Sequence, residues 1–202
     1  MKLEVFFDCS SPWSYLGFER IQPLAQEFGV EPTWRPVLVG GIFNAVNRSV
    51  YETRASGSVK TLHSKKDIAD WADLAGLSIG SPTIFPINSA KAMRGCLVLA
   101  PEGKLVAFAR AVYQAYWADD RDINDDAVLA DIAQGLGVDG PSFLARIVEP
   151  AAKAALRANT DEAIARGAYG VPTFFLDGDD MYFGQDRLPV LRRAMEQKRA
   201  VG

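Results

Sequence analysis

Close to its start the chain reads Phe7-Asp8-Cys9-Ser10-Ser11-Pro12-Trp13-Ser14, so Ser11 and Ser14 bracket a proline and a tryptophan. Two thiols at this spacing would cycle between dithiol and disulfide. Two hydroxyls cannot, and Ser14 offers no thiol to resolve a mixed disulfide. An apolar run over residues 2–7 reads as a buried strand, and Pro12 as an early residue of a helix, where its missing N–H would have had no partner anyway. Free backbone N–H groups and the helix dipole converge at such a start and favour an anion such as a thiolate. No His, Lys or Asp adjoins Ser11 in sequence, so its hydroxyl is a poor nucleophile. Two readings of Ser11 then stand side by side, a hydrogen-bond donor to a sulfur brought by another molecule and a plain helix N-cap.

Other reactive residue types are few. Cys9 lies among Phe6, Phe7 and Asp8 and reads as a small buried hydrophobe, and Cys96, beside Leu97 and Leu99, falls on an apolar helix face. Their separation shows no paired spacing, so a structural disulfide is not expected and a reducing compartment is. No His/Cys cluster has zinc spacing. Asp120, Asp122 and Asn124 alternate as in a calcium loop, but Asp125 stands where the turn needs glycine and Asp131 where a glutamate is expected. That stretch reads as a solvated loop capping the next helix. His63, the sole histidine, reads as a surface or capping residue rather than a base.

Two later stretches place backbone rather than side chains. In Gly170-Val171-Pro172-Thr173 the proline fixes φ at a strand entry and removes a donor, and the bond before it is one where the cis form is accessible. Gly184-Gln185-Asp186-Arg187 opens a final helix, where N–H groups can bind a carboxylate and Asp186 can bind an ammonium or simply cap the helix.

These residues need elements to hold them. Trp13, Leu16, Phe18, Ile21, Leu24, Ala25 and Phe28 recur at helical spacing and predict a helix from Pro12 to Phe28, stopped by Gly29. Residues 33–39 predict a second strand, which Pro36 keeps out of a central position. Together they make a βαβ unit. From about residue 60 to 166 the pattern is helical, over 64–76, 88–99, 103–118, 125–135, 141–157 and 160–167, with Trp71, Tyr113, Tyr116 and Trp117 on faces that read first as core. Strand character returns in Val171–Gly184, where Asp177-Gly178-Asp179-Asp180 signals a hairpin turn, and residues 186–198 close as a helix. The expected organisation is one split α/β domain, residues 1–59 with 167–202, carrying an all-helical insertion over 60–166.

With 202 residues, 49% hydrophobic, 23% charged and a net charge of −3, the chain can bury a sizeable core. Its scattered Lys and Arg lack the basic patch that nucleic-acid binding requires. Its longest apolar runs are too short to span a membrane. Met1-Lys2 leads straight into the strand without a secretory pattern, which sets a cytoplasmic expectation.

In order and spacing, the stretches FFDCSSPWSYLG, GAYGVPTFFLDG and FGQDRLPVL resemble the 2-hydroxychromene-2-carboxylate isomerases and the related kappa-class glutathione transferases, in the DsbA-like branch of the thioredoxin fold. The resemblance covers the whole chain. It implies an α/β thioredoxin-like fold with a helical insertion, glutathione as a recycled cofactor, and Ser11 hydrogen-bonded to its thiolate. It implies that the Val171 backbone, beside a cis Pro172, pairs with the cysteinyl part, and that Gln185 and Asp186 hold the γ-glutamyl end. Asn47 falls where the family has a glycine-asparagine pair, although Val46 precedes it here. Lys60 matches a lysine that would take a glycine or substrate carboxylate, a solvated surface lysine being the plain alternative. The implied activity interconverts 2-hydroxychromene-2-carboxylate and trans-o-hydroxybenzylidenepyruvate in aromatic degradation, on a small aromatic carboxylate, in a homodimer. The same site would also serve a kappa-like glutathione transferase or a non-catalytic binder of glutathione or thiol peptides.

Overall fold

A computed structural model describes residues 1–53 and 59–201. Four strands, β1 (Leu3–Phe7), β2 (Thr33–Pro36), β3 (Thr173–Leu176) and β4 (Asp180–Phe183), form one sheet in the order β2-β1-β3-β4. β1 runs parallel to β2 and antiparallel to β3, and β3 pairs antiparallel with β4. Pro36 ends β2 at the sheet edge, where the missing N–H costs no ladder bond. The β3–β4 turn places Asp177 and Gly178 at φ 50° and 108°, a left-handed path that Gly and Asp tolerate and that the Asp-Gly pair signalled.

β1 is buried along its whole length, because helices cover both faces of the sheet. On one face Leu3 and Val5 pack with Phe174, with Ile21 and Leu24 of α1 (Pro12–Glu27), and with Leu191 of α10 (Leu188–Val201). On the other, Phe6 and Phe175 meet Ile42 and Phe43 of α2 (Val39–Val46) and Ala163 of α9 (Pro150–Ala165). Each such apolar side chain contributes about 2 kcal/mol of transfer free energy. Glu4, on the second face, is the exception among these apolar residues, and Arg166 and Arg35 hold its carboxylate at 3.0 and 3.6 Å.

Between β2 and β3 lie α2, α3 (Ser49–Thr53), α4 (Val59–Ala75), α5 (Ala90–Leu99), α6 (Leu105–Trp117), α7 (Asp126–Gly135), α8 (Gly140–Ile147) and α9. Their shared core is centred on Phe108, Val112, Tyr113, Tyr116 and Phe143 and is continuous with Phe7 and Phe18 of the β1–α1 unit. Tyr113, Tyr116 and Trp117 are core residues. No described helix is long and apolar enough to cross a membrane.

Several boundaries differ from expectation. The strand over 33–39 stops at Pro36, and Val39–Val46 is helical. Its first N–H, that of Val39, is accepted at 2.8 Å by the carboxylate of Asp8, a cap from far away in sequence that Leu38 cannot supply. The expected helices 141–157 and 160–167 divide instead at Val148-Glu149, because Pro150 at the head of α9 disfavours a helical conformation before it. Asn159 and Thr160 lie inside α9 without a break, their side chains bonded to the Pro36 and Leu156 carbonyls at 3.0 and 2.9 Å.

Candidate active site

Ser11 is the N-cap of α1, and its Oγ accepts the Ser14 N–H at 3.2 Å. That bond leaves the hydroxyl proton free: among the described residues it has no acceptor, and the Trp13 N–H has none either. Ser14 has a different part. Fully buried, its Oγ accepts the Asp8 N–H at 3.1 Å and the Tyr113 hydroxyl at 2.9 Å, so it locks the turn onto α6.

Asp8 organises the other side of the turn and was not singled out from the sequence. Its carboxylate accepts the Ser10 N–H and hydroxyl, both at 2.9 Å, the Val39 N–H at 2.8 Å, and the Ser89 side chain. Burial pushes its pKa up, and the bonds from Ser10, Val39 and Ser89 pull against that shift. A charged residue closing an apolar strand was the available signal, since a carboxylate is seldom buried without partners. Three segments, the turn, the start of α2 and the start of α5, thereby meet at one carboxylate.

They frame a pocket of about 560 Å³ lined by Asp8, Ser10 and Ser11, by Leu38–Gly41 and Phe43, and by Tyr51 and Phe85–Ser89. Its walls are mainly apolar, with Ser11 at one side.

Cys9 faces away from this pocket into the core. It is fully buried, its N–H meets Met93 Sδ at 3.3 Å, and its Sγ lies 4.0 Å from the Ala109 carbonyl. Burial, then the bond to Cys96 Sγ, pushes its thiol well up, so it stays protonated. Both cysteines are free thiols.

Asn47, Val171, Pro172, Gln185 and Asp186 do not line the pocket with Ser11; most are gathered along the flank of α1. Val171–Pro172 is a cis peptide, and an added Cβ at Gly17 of α1 would sit 2.6 Å from the Pro172 ring, so glycine permits that close packing. The Pro172 carbonyl accepts the Gly184 N–H at 3.0 Å, tying the Val171–Pro172 corner to the Gln185 turn. Val171 itself is buried, yet neither its N–H nor its carbonyl has a partner among the described residues. Asn47, the C-cap of α2, donates to the Tyr169 carbonyl at 3.0 Å, just ahead of that corner.

Gln185 and Asp186 begin a short 3₁₀ turn that leads into α10. Gln185 is buried; its Oε1 accepts from Arg20 of α1, and its Nε2 has no partner among the described residues. Arg20 in turn lies over the Trp71 ring at 4.5 Å, so a helix-face tryptophan positions a guanidinium that sequence reading did not connect with the site. Asp186 is half-exposed and paired with Arg187 at 3.0 Å. Lys60 lies in the first turn of α4 and its side chain falls outside the described residues. His63 is exposed on α4. In the acidic loop, Asp125 caps α7 through the Ala127 N–H at 2.8 Å, and the described residues hold no cluster fit for a metal ion.

A β1–α1 unit with a serine turn at the helix start, and a cis-proline strand entry packed against the same helix, defines a thioredoxin-type protein. The DSBA-like thioredoxin domain model matches residues 2–196. The 2-hydroxychromene-2-carboxylate isomerase of Pseudomonas putida is 31% identical over 197 residues, covering 96% of this chain and 94% of that one. A solved structure of a 2-hydroxychromene-2-carboxylate isomerase superposes with a TM-score of 0.83 at 28% identity, covering both chains completely. Glutathione S-transferase kappa 1 of Rattus norvegicus is 27% identical, covering 97% of this chain and 91% of its own. The chain belongs to the DsbA-like thioredoxin family, in the branch that holds the 2-hydroxychromene-2-carboxylate isomerases.

Proposed function

We propose that this chain is a glutathione-dependent isomerase that interconverts 2-hydroxychromene-2-carboxylate and trans-o-hydroxybenzylidenepyruvate. The observation that carries the reading is Ser11: a capping hydroxyl with a free proton, beside the free Trp13 N–H, where a dithiol enzyme would hold a cysteine.

The residues present fit glutathione. Three polar openings lack a partner among the described residues: the Ser11 proton, the two backbone groups of Val171, and the buried Nε2 of Gln185. When bound, glutathione supplies a thiolate whose reversible addition turns a conjugated double bond single long enough for rotation, and it leaves unchanged.

Ser11 donates to the sulfur and, with the α1 dipole, favours its ionised form. The Val171 N–H and carbonyl take the cysteinyl backbone as an added strand would. Gln185 donates to the γ-glutamyl carboxylate and Asp186 accepts from its ammonium. Asn47 and Lys60 complete the binding set. The apolar pocket walls exclude water from the reacting carbons. A division into residues 1–59 with 167–202 and a helical insertion over 60–166, a homodimer, a cytoplasmic setting and a role in aromatic degradation belong to the same proposal.

The test is incubation with the chromene and catalytic glutathione, followed by ultraviolet absorbance. Isomer formation with glutathione conserved is the expected result, and its absence removes the assignment. The kappa-class relatives favour a second reading, which would show as stoichiometric consumption of glutathione with a model electrophile.

A further inference from the structure

Sharing Leu38 and Gly41 with the Ser11 pocket, a second depression of about 410 Å³ lies between the start of α2, α5 and α9. Its floor is apolar, from Leu38, Ala90 and Leu156. Thr160 adds no free polar group there, because its hydroxyl donates to the Leu156 carbonyl at 2.9 Å and accepts the Leu38 N–H at 3.0 Å.

The rim is cationic, with Arg94, Lys153 and Arg157 against the single lining acid Asp161, which lies 3.5 Å from Arg157. Several arginines elsewhere in this net-negative chain meet carboxylates, as Arg110–Glu19 and Arg146–Glu102 do at 2.8 and 2.7 Å. Among the described residues, Arg94 and Lys153 form no ion pair. Arg94 Nε donates to the Ala90 carbonyl at 3.0 Å, which orients the guanidinium and leaves both terminal amino groups for an incoming ligand. Partial burial has already removed part of its hydration and lowers its pKa. A guanidinium so held matches a carboxylate in a two-point geometry.

From this geometry we infer that the groove binds a small carboxylate with a flat apolar body, an arene carboxylate, with its charge on Arg94 and Lys153 and its ring on Leu38, Ala90 and Leu156. The apolar floor selects against a compact, strongly hydrated anion such as phosphate. The groove shares Leu38 and Gly41 with the Ser11 pocket but none of Ser10, Ser11 and Tyr51, and binding there requires neither glutathione nor the isomerase reaction.

The test is a titration of the full chain with sodium benzoate at constant ionic strength, without glutathione, followed by backbone amide NMR. Saturable shifts centred on α5 and α9 are expected, and Arg94→Gln and Lys153→Gln are each expected to weaken binding about tenfold, the effect of one charge-assisted hydrogen bond. Lys153 is exposed, so its variant should retain the fold and keep the test informative if Arg94→Gln destabilises the chain. Benzamide and inorganic phosphate are expected to bind much more weakly than benzoate. The proposal is overturned by an absence of saturable shifts, by unchanged affinity in Lys153→Gln, by shifts confined to Ser10, Tyr51 and Phe85, or by phosphate binding as tightly as benzoate. Because the titration uses neither chromene nor glutathione, failure of the isomerase assay leaves its outcome unaffected.

Discussion

Asp8 Oδ2 accepts the Val39 N–H at 2.8 Å, so a carboxylate at the end of β1 caps a helix that begins 31 residues later. The same carboxylate holds Ser10 and Ser89, which makes it the point where the Ser11 turn and two pocket walls are fastened together.

Asp8→Asn replaces one acceptor oxygen by an amide donor facing N–H groups, and a loss of about 3 kcal/mol in unfolding free energy is expected. The pH dependence has a definite sign. Burial raises the native pKa, so between the unfolded value, about 3.9, and the native one the folded chain binds more protons. The advantage of wild type over Asp8→Asn in urea unfolding should therefore be full below the unfolded pKa and shrink as pH rises above it. An advantage that grows with pH would refute a raised pKa.

Ser11→Ala removes the proposed donor to the sulfur. Its expected cost is about 10- to 100-fold in kcat/KM, the range for a charge-assisted hydrogen bond, with the activity rise moved to higher pH as the bound thiol regains its ordinary pKa. Unfolding should also show a cap loss of about 1 kcal/mol. Full turnover at unchanged pH dependence would remove Ser11 from the mechanism.

Gly17→Ala tests how closely α1 must approach the Val171–Pro172 corner. A methyl group there meets the Pro172 ring at 2.6 Å, so α1 or the corner must shift, at an expected 1–3 kcal/mol, about the usual cost of overpacking. If Val171 aligns glutathione, KM for glutathione rises more than kcat falls. Steady-state kinetics with glutathione varied separates the two.

Cys9 supplies a control. Its buried, protonated thiol should resist iodoacetamide in the native protein and react only after unfolding, with turnover retained throughout the native exposure. Mass spectrometry locates the label. Native labelling at Cys9 that abolishes activity would move the sulfur chemistry from glutathione to the chain.

Much of this fold can be read locally. Leu3–Phe7, the helical repeat after Pro12, and the Asp-Gly turn between β3 and β4 are each set by neighbours in sequence, and the structure has them where periodicity and turn chemistry put them. α2 could not be read this way. Val39-Gly40-Gly41-Ile42 looks like strand continuing from Trp34, and what makes it helix is a cap from Asp8 and packing of Gly41 against Thr160. The α8–α9 break was recoverable from Pro150 alone, and the apolar periodicity running across it concealed it.

The sequence by itself determined that no dithiol chemistry is available at Ser11-Pro12-Trp13-Ser14, since a missing thiol at that spacing cannot be supplied by folding. It also determined the family, through three short stretches in register. The tertiary structure alone decided how the two serines divide their work: Ser14 is buried against Tyr113 and Asp8, while Ser11 keeps a free proton beside the pocket. It alone brought Arg20 to Gln185, left the Val171 backbone groups without a partner among the described residues, and put Arg94 and Lys153 on the lining of one groove. Hydrogen-bond partners and burial depend on residues far apart in the chain, and only packing brings those residues within reach of one another.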